Sequence, residues 1–295
     1  SPHSNPIKNS DVVEMIDQLI EIPRVEWVKL RDLYKVNWPK NLVGFYTIDN
    51  FIKWVELEPN IKNLVIYSLN GDWSDGTFLV VDRYQLFLNS LNDCNDRLTR
   101  ALSLLDWTYG FKISSFLERH RSAVLAVIEE KKLEKEFDSL TPLYYLSRSE
   151  APKLSVNCPE GIILKSISEE DAKIIDDLWP NRHQGSLFFI RRLITKNVNV
   201  GAYTKDGELV AWCLRLQAGP LGALQVKESH QRQGLACLIV AAMVKILANL
   251  DHDCFALVNT TNIPSQRVFE KLGFKVIDNA YWLRTYPLVD FHWED

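Results

Sequence analysis

The second half of the chain alternates between two spacings of apolar residues, and these spacings predict a mixed series of strands and helices. Short β-branched and aromatic runs indicate strands, whereas longer segments with an apolar residue every three or four positions indicate helices. The turn Lys205-Asp206-Gly207-Glu208 joins two of the strands as a hairpin. The order β-α-α-β-β-β-α-β-α-β-β predicts an α/β fold in which helices cover a mixed sheet. The predicted strands are 161–166, 198–203, 209–216, 221–226, 254–258, 274–277 and 280–285, and the predicted helices are 169–178, 186–196, 234–250 and 264–272.

The first half also mixes helix and strand patterns, although less regularly. Asp11 and Glu14 fit a capping box at the start of a first helix. Turn-forming residues separate the later elements, for example at Trp38-Pro39 and at Asn70-Gly71-Asp72. We therefore expect a second α/β unit here. Its predicted helices are 24–35, 48–57 and most of 84–135, and its predicted strands are 42–47, 63–68, 77–82 and 144–146.

A linker near residues 148–160 separates the two halves. It contains Pro152 and several polar residues, a composition that favours an exposed connection. The full length of 295 residues suits two domains of ordinary size. We predict an N-terminal α/β domain over residues 1–150 and a second domain over residues 151–295.

Composition and charge exclude several classes of protein. Hydrophobic residues make up 46% of the chain, so it can bury a core and is not generally disordered. The formal net charge is −4, which argues against non-specific binding of nucleic acid because that requires a positive surface. The longest apolar run, residues 235–244, is too short to span a bilayer. We therefore predict neither a nucleic-acid partner nor a membrane span.

Cysteine usage points to a reducing compartment. The chain has five cysteines, no C-x-x-C, and no cysteine-histidine pair at zinc-ligand spacing, so we predict neither a disulfide framework nor a metal site. Residues 1–5 show neither a hydrophobic nor a basic amphipathic targeting pattern. These observations predict the cytoplasm or the mitochondrial matrix.

The most informative stretch runs from Leu224 to Ala236. A strand ends at Val226, a polar loop follows, and the longest helix starts after Gln233-Gly234. Small residues in this turn let a ligand approach the backbone, and the free N–H groups of a helix start attract an anion such as a pyrophosphate. One such anion contributes only about 0.3–2 kcal/mol, whereas a micromolar ligand needs about 8 kcal/mol. The rest of the ligand must therefore bind elsewhere, for example as an extended arm along the preceding strand.

Two motifs in this half resemble a known family. Gln231-x-x-Gly234-x-Ala236 matches the Q/R-x-x-G-x-G/A signature of the GCN-five-related N-acetyltransferase (GNAT) superfamily. The run from Asn262 to Phe274 is similar to the family's N-x-x-A/S-x-x-x-Y-x-x-x-G-F helix. The whole chain is more loosely similar to glycine N-acyltransferase-like proteins, which carry an extra N-terminal domain. Because the first half has no second signature, we interpret it as a degenerate, non-catalytic and GNAT-like partner.

The resemblance implies an acyl-CoA N-acyltransferase fold in the second half. It also implies transfer of an acyl group from acyl-CoA or acetyl-CoA, without a metal, to a small amine or amino acid such as glycine. Pyrophosphate contacts fall on the turn, and pantetheine contacts fall on the preceding strand and on the second motif. The implied CoA-binding residues are Leu224, Gln225, Val226, Gln231, Arg232, Gln233, Gly234, Leu235, Ala236, Asn262 and Ser265.

The sequence departs from the family at the expected acid and base. Phe269 stands where many members have a tyrosine, and the strand before the signature has no carboxylate. Glu228, His230 and Asn259, acting through water, are the candidate bases. Glu228 and His230 also fit an interpretation as ordinary loop residues, and the alternative that none of the three is the base stays open. Asn262 also fits a helix N-cap.

Two alternative functions remain open at this point. A catalytically impaired acyl-CoA-binding protein would keep the turn and lose the chemistry. A protein or peptide N-acetyltransferase would need an open groove for a polypeptide.

Overall fold

The computed structural model describes residues 16–293, and these form an α/β fold as the sequence predicts. The predicted first helix around Asp11 and Glu14 lies outside the described residues. The first half contains β1 (Leu19–Glu21), α1 (Trp27–Leu33), α2 (Leu42–Leu57), β2 (Leu64–Leu69), β3 (Phe78–Asp82), β4 (Gln85–Asn89), α3 (Asp96–Ser103), β5 (Lys112–Leu117), α4 (Arg121–Glu130) and β6 (Lys135–Leu146). The second half contains β7 (Ile162–Lys165), α5 (Ala172–Leu178), α6 (Ser186–Lys196), β8 (Asn199–Thr204), β9 (Leu209–Arg215), β10 (Leu221–Val226), α7 (Leu235–Asn249), β11 (Cys254–Leu257), α8 (Ile263–Lys271) and β12 (Lys275–Thr285).

The two halves repeat the same order of elements, β-α-α-β-β-β-α-β-α-β. The twelve strands within residues 16–293 form one sheet in the order β1-β2-β3-β4-β5-β12-β6-β11-β10-β9-β8-β7. The last strand of each half therefore lies in the other half's part of the sheet, because β12 pairs with β5 and β6 pairs with β11. This arrangement agrees with a GNAT-like first half. The boundary at residue 150 stays a prediction, since the sheet runs through both halves.

The exchanged strands β6 and β12 pair with each other along the longest ladder of the sheet. The ladder is antiparallel and runs from Lys275 opposite Tyr145 to Thr285 opposite Lys135. Residues 274–277 and 280–285, predicted as two strands, are largely one strand with a register shift between Val276 and Asp278. The two halves are thus joined by continuous backbone hydrogen bonding.

Three hydrophobic clusters fill the space between sheet and helices. The largest lies under α1, α2, α5 and α6 and includes residues of both halves, among them Phe51, Trp212 and Phe255. The opposite face carries α7 and α8 in the second half, and α3 and α4 in the first. The shared cluster means that the helices of each half pack against the other half as well as their own.

Two predictions for the first half are wrong. Residues 42–47 were expected as a strand, yet they form the first part of helix α2. Ten of the 16 residues of α2 are buried, since it lies between the halves, and a helix buried on several sides shows no clear apolar stripe. Residues 84–135, expected to be helical, contain two strands besides α3 and α4, since β4 precedes α3 and β5 lies between the two helices. Both strands are buried along nearly their whole length, and neither shows the alternation of apolar and polar residues that marks a half-buried strand.

Among the described residues, no helix is both long enough and apolar enough to cross a membrane.

Candidate functional site

The parallel strands β10 and β11 separate soon after they meet. Leu221 opposite Ala256 is their only registered pair, and β10 bulges between Gly222 and Gln225, where Ala223 has a φ of 52°. On its other side β10 stays paired with β9 as far as Val226. The β11 side of β10 is therefore open beyond Leu221 in the described part of the chain. An extended ligand can add to such an edge by backbone hydrogen bonds.

The turn after β10 presents backbone N–H groups at the start of α7. Gly234 is the N-cap of α7, has a φ of 75°, and makes no side-chain cap bond. Residues 231–234 are exposed, and the side-chain amide of Gln231 donates to the Val226 carbonyl at 3.2 Å. A Cβ atom placed on Gly234 would meet nothing within 4 Å, so the space in front of the turn is free. The turn thus has the geometry of an anion site.

Helix α7 holds this turn rigidly against the sheet. Nine of its 15 residues are buried, and Leu235, its first residue, is only 1% exposed. Burial of this apolar surface stabilises the helix, and therefore fixes where its free N–H groups point. Ala236 and Cys237 in the same first turn are half-buried.

The second motif lies at the same edge of the sheet, after β11. The Asn262 side chain accepts a hydrogen bond from the Ser265 N–H at 3.2 Å and so caps α8, and Pro264 lies in the first turn. Asn262 is exposed and Ser265 is half-buried. The N-cap interpretation of Asn262 is confirmed, while its contact with CoA, like that of Ser265, stays a prediction.

Phe269 belongs to the core. It is 3% exposed, and its ring lies 5.0 Å from that of Phe274 and 6.0 Å from that of Tyr144, measured between centroids. A side chain with no dissociable proton in this position offers nothing to a departing thiolate.

The three candidate bases lie around the open edge. Glu228 and His230 lie in the short turn after β10, and Asn259 follows β11. Glu228 is exposed, His230 Nδ1 lies 2.8 Å from the Ser229 hydroxyl, and Asn259 accepts bonds from the Thr261 N–H and hydroxyl. The parallel strands bring the predicted residues to one edge of the sheet. Their individual roles stay predictions.

Sequence reasoning missed a cluster on the α5–α6 side of β10. The side-chain amide of Gln225 donates to the Leu178 carbonyl at 2.9 Å, and this bond connects β10 to the end of α5. The next residue, Trp179, stacks on Phe189 at 5.6 Å. His183, in the same connection, lies 3.1 Å from the Tyr84 hydroxyl, which comes from the first half.

Lys112 of the first half enters this cluster between aromatic rings. Its ammonium nitrogen lies 5.4 Å from the ring centroid of Trp282, 5.7 Å from Phe189 and 5.9 Å from Trp179. Burial, together with the charge of Arg284, lowers the pKa of Lys112 to about 8. Burial also lowers the pKa of His183. Lys112 reaches this cluster only because the strands of the two halves pair, and no local sequence motif predicts its position.

Comparison with known proteins agrees with this fold. Residues 199–283, which include the turn and the second motif, match the family described as FR47-like protein. No curated protein sequence matches the chain significantly.

Solved structures resemble the chain along most of its length. A Drosophila melanogaster protein is 24% identical with a TM-score of 0.83, over 93% of this chain and 100% of its own. A tandem GNAT protein from the clavulanic acid biosynthesis pathway is 14% identical with a TM-score of 0.55, over 92% and 98%. A GCN5-related N-acetyltransferase from Sphaerobacter thermophilus is 11% identical with a TM-score of 0.50, over 92% and 96%.

These matches show the fold of the chain. They do not distinguish the glycine N-acyltransferase-like branch from others. Motifs, family match and architecture together identify the chain as a protein of the GNAT fold, with the FR47-like segment in its second half.

Proposed function

We propose that this chain is an N-acyltransferase that moves the acyl group of an acyl-CoA, such as acetyl-CoA, to a small amine or an amino acid such as glycine. The observation that carries the proposal is the opening between β10 and β11, which leads directly to the exposed Gly234 turn. A strand edge beside an anion site suits a long ligand with a pyrophosphate at one end.

This geometry supports the CoA-binding residues that the sequence motifs suggest. The backbone from Gln231 to Ala236 would hold the pyrophosphate, and the open edge of Leu224 to Val226 would hold the pantetheine arm. The helix start is not sufficient alone, because it contributes at most about 2 kcal/mol, so the pantetheine arm must bind as well. Asn262 and Ser265, across the opening, would contact the same arm.

The chemistry is direct attack of a neutral amine on the thioester carbonyl. A new C–N bond forms, the C–S bond breaks, the amine loses a proton, and the thiolate leaves as the free thiol of CoA after it is protonated. An amine with a pKa of about 10.4 is mostly protonated at pH 7, and its deprotonation costs about 4.6 kcal/mol. Glu228, His230 and Asn259 are the proposed bases acting through water. Lys112, with a pKa of about 8, is a further candidate from the first half.

The test is release of free thiol from acetyl-, benzoyl- and longer acyl-CoA over a panel of amines that includes glycine. We expect at least one pair to react. Loss of the base should lower kcat by about 10²–10⁴-fold, so Glu228→Gln, His230→Gln and Lys112→Met are compared in parallel. If no pair releases thiol from protein that demonstrably binds CoA, the transferase proposal fails.

A specific observation favours the alternative of a binding protein without turnover. Phe269 lies in the core, and the strand before the turn carries no carboxylate, so the two expected proton-transfer groups are missing. This alternative predicts CoA binding without thiol release. A protein or peptide N-acetyltransferase is the third candidate, and peptides in the acceptor panel test it.

The compartment stays a prediction from cysteine usage. All five cysteines are free thiols, which fits the cytoplasm or the mitochondrial matrix.

A further inference from the structure

A cavity of about 230 Å³ lies between the two halves, at the end of the sheet opposite the Gly234 turn. Its walls come from α2 of the first half, and from the end of α6, Arg215 and Gly219 of the second. Arg215 ends β9 and faces the start of β10, whereas the turn follows the end of β10. The six residues of β10 therefore place the two features about 16 Å apart. The cavity is separate from the proposed acyl-CoA site.

Arg215 lies in the wall of this cavity with one donor unused. The residue is 9% exposed. Its Nε donates to the Gly219 carbonyl and its Nη1 to His252 Nδ1, both at 3.0 Å, while Nη2 has no hydrogen-bond partner. Among residues 16–293 it forms no ion pair with a carboxylate. A buried guanidinium without a counter-charge is costly unless an anion joins it.

His252 does not supply the missing charge. It accepts from Arg215 at Nδ1, so its Nε2 carries the proton and faces Asp49 Oδ2 at 3.5 Å. Burial and the charge of Arg215 lower the pKa of His252 to about 4, which leaves the ring neutral at pH 7. The neutral ring lies between Arg215 and Asp49, so the Asp49 carboxylate acts on the guanidinium without forming an ion pair with it.

The other groups around the cavity add positive charge. Lys53 and Lys196 line it together with Arg215, and Asp49 is the only carboxylate among its lining residues. Asp49 is already engaged by Lys53 at 3.1 Å and by Arg31 at 3.0 Å, and Lys196 pairs with Glu58 at 3.0 Å. The lining therefore keeps an excess of positive charge.

Asn50 is a second lining residue with an unused hydrogen-bond donor. The residue is 9% exposed, and its Nδ2 makes no hydrogen bond. Asn50 and Arg215 come from different halves of the chain and line the same cavity, and each has one buried donor atom, Nδ2 and Nη2, without a hydrogen-bond partner. Two unused donors beside two lysines are the arrangement that accepts a carboxylate or a phosphate group.

We propose that this cavity binds a small organic anion through a carboxylate or phosphate group, with Arg215 Nη2 and Asn50 Nδ2 as its buried donors and Lys53 at its mouth. The cavity volume of about 230 Å³ equals that of roughly eight water molecules, at about 30 Å³ each, so it admits a compact anion and excludes CoA. Because its donors come from both halves, the bound anion joins them and stabilises the folded chain.

The experiment measures thermal unfolding and calorimetric binding without CoA, with inorganic phosphate and with succinate as separate probes, each against sodium chloride of equal ionic strength. We expect a saturable rise in Tm with at least one probe. The probe that raises Tm shows whether the cavity prefers a phosphate or a carboxylate group. No failure of acyl transfer affects this result, because neither acyl-CoA nor an acceptor amine is present.

Arg215→Met should raise the Kd of the active probe at least about tenfold, the loss expected for a hydrogen bond to a charged group. Lys53→Met, at a position that is 45% exposed and tolerant of change, should raise it about threefold and covers the case in which Arg215→Met does not fold. Arg121→Met, which breaks an ion pair on α4 outside the cavity, should leave the Kd unchanged. The proposal is overturned if neither probe exceeds chloride, as expected of a cavity that holds only water, or if Lys53→Met binds as the wild type does.

Discussion

Gly234 provides the sharpest test of the turn, because its mutation separates folding from binding. The φ of 75° belongs to the left-handed region, and an added Cβ atom would meet no neighbour within 4 Å. Gly234→Ala therefore costs only backbone strain, about 1–2 kcal/mol. In a chain of this size each kcal/mol lowers Tm by about 2–4 °C.

The same substitution should weaken CoA binding. The new methyl group would occupy the open space in front of the N–H groups, and relief of strain would turn those groups away. Loss of the helix-terminal contribution, about 0.3–2 kcal/mol, raises the Kd for CoA about 2–30-fold. At a fixed CoA concentration well above the Kd, a tenfold weaker affinity removes about 1.4 kcal/mol of ligand-induced stabilisation.

Gly161→Ala is the matched control. Gly161 has a φ of 85°, is equally free of neighbours, and precedes β7 at the far edge of the sheet. Both variants should lose similar stability without ligand, as measured by denaturant unfolding. Only Gly234→Ala should lose CoA-induced stabilisation in calorimetry and thermal unfolding. Equal CoA affinities in the two variants would refute the assignment of the turn.

Three further predictions concern the contacts between the halves. Lys112→Met should stabilise the chain at pH 7 by about 2–3 kcal/mol, since the lowered pKa of Lys112 shows that its protonated form is unfavourable in the folded state. The wild type regains this stability as the pH rises from about 8 to 10.5, so the difference in unfolding free energy between variant and wild type should disappear over that range in denaturant unfolding. Asp82→Asn should lower the free energy of unfolding by about 3–5 kcal/mol in denaturant unfolding, because Asp82 is fully buried and pairs with Arg192 at 2.9 Å. Adding Arg192→Met should recover most of this loss, and a double variant whose loss equals the sum of the two single losses would contradict the prediction. Fragments 1–150 and 151–295 should fold poorly apart and associate when co-expressed, since each lacks a central strand, and circular dichroism of two well-folded separate fragments would oppose this.

The second half was predictable because its signals are local. The hairpin at Asp206-Gly207 and the turn at Gly234 both depend on glycine at a positive φ, and the structure has both glycines there. The alternation of strands and helices around them places the motifs at one edge of the sheet. A short stretch of chain therefore carries the signals from which this part of the candidate site is predicted.

The first half was harder because its elements are buried by distant parts of the chain. Helix α2 lies between the halves, so its inward residues include Thr47, Asp49 and Asn50 as well as apolar ones. The sequence of α2 therefore shows no clear apolar stripe, and its β-branched residues predict a strand instead. The same cause hides Lys112, which becomes part of a cluster only after the strands have paired across the halves.

The exchange of β6 and β12 has a consequence for synthesis on the ribosome. The second half finds its borrowed strand, β6, already made when its own strands emerge. The first half finds its borrowed strand only after nearly all of the second half has been translated, because β12 follows every other strand in the chain. Its sheet edge at β5 therefore remains uncovered during elongation, and exposed strand edges invite pairing with other chains. We therefore expect the nascent first half, which lacks the turn of residues 231–236, to depend more on protection from such pairing.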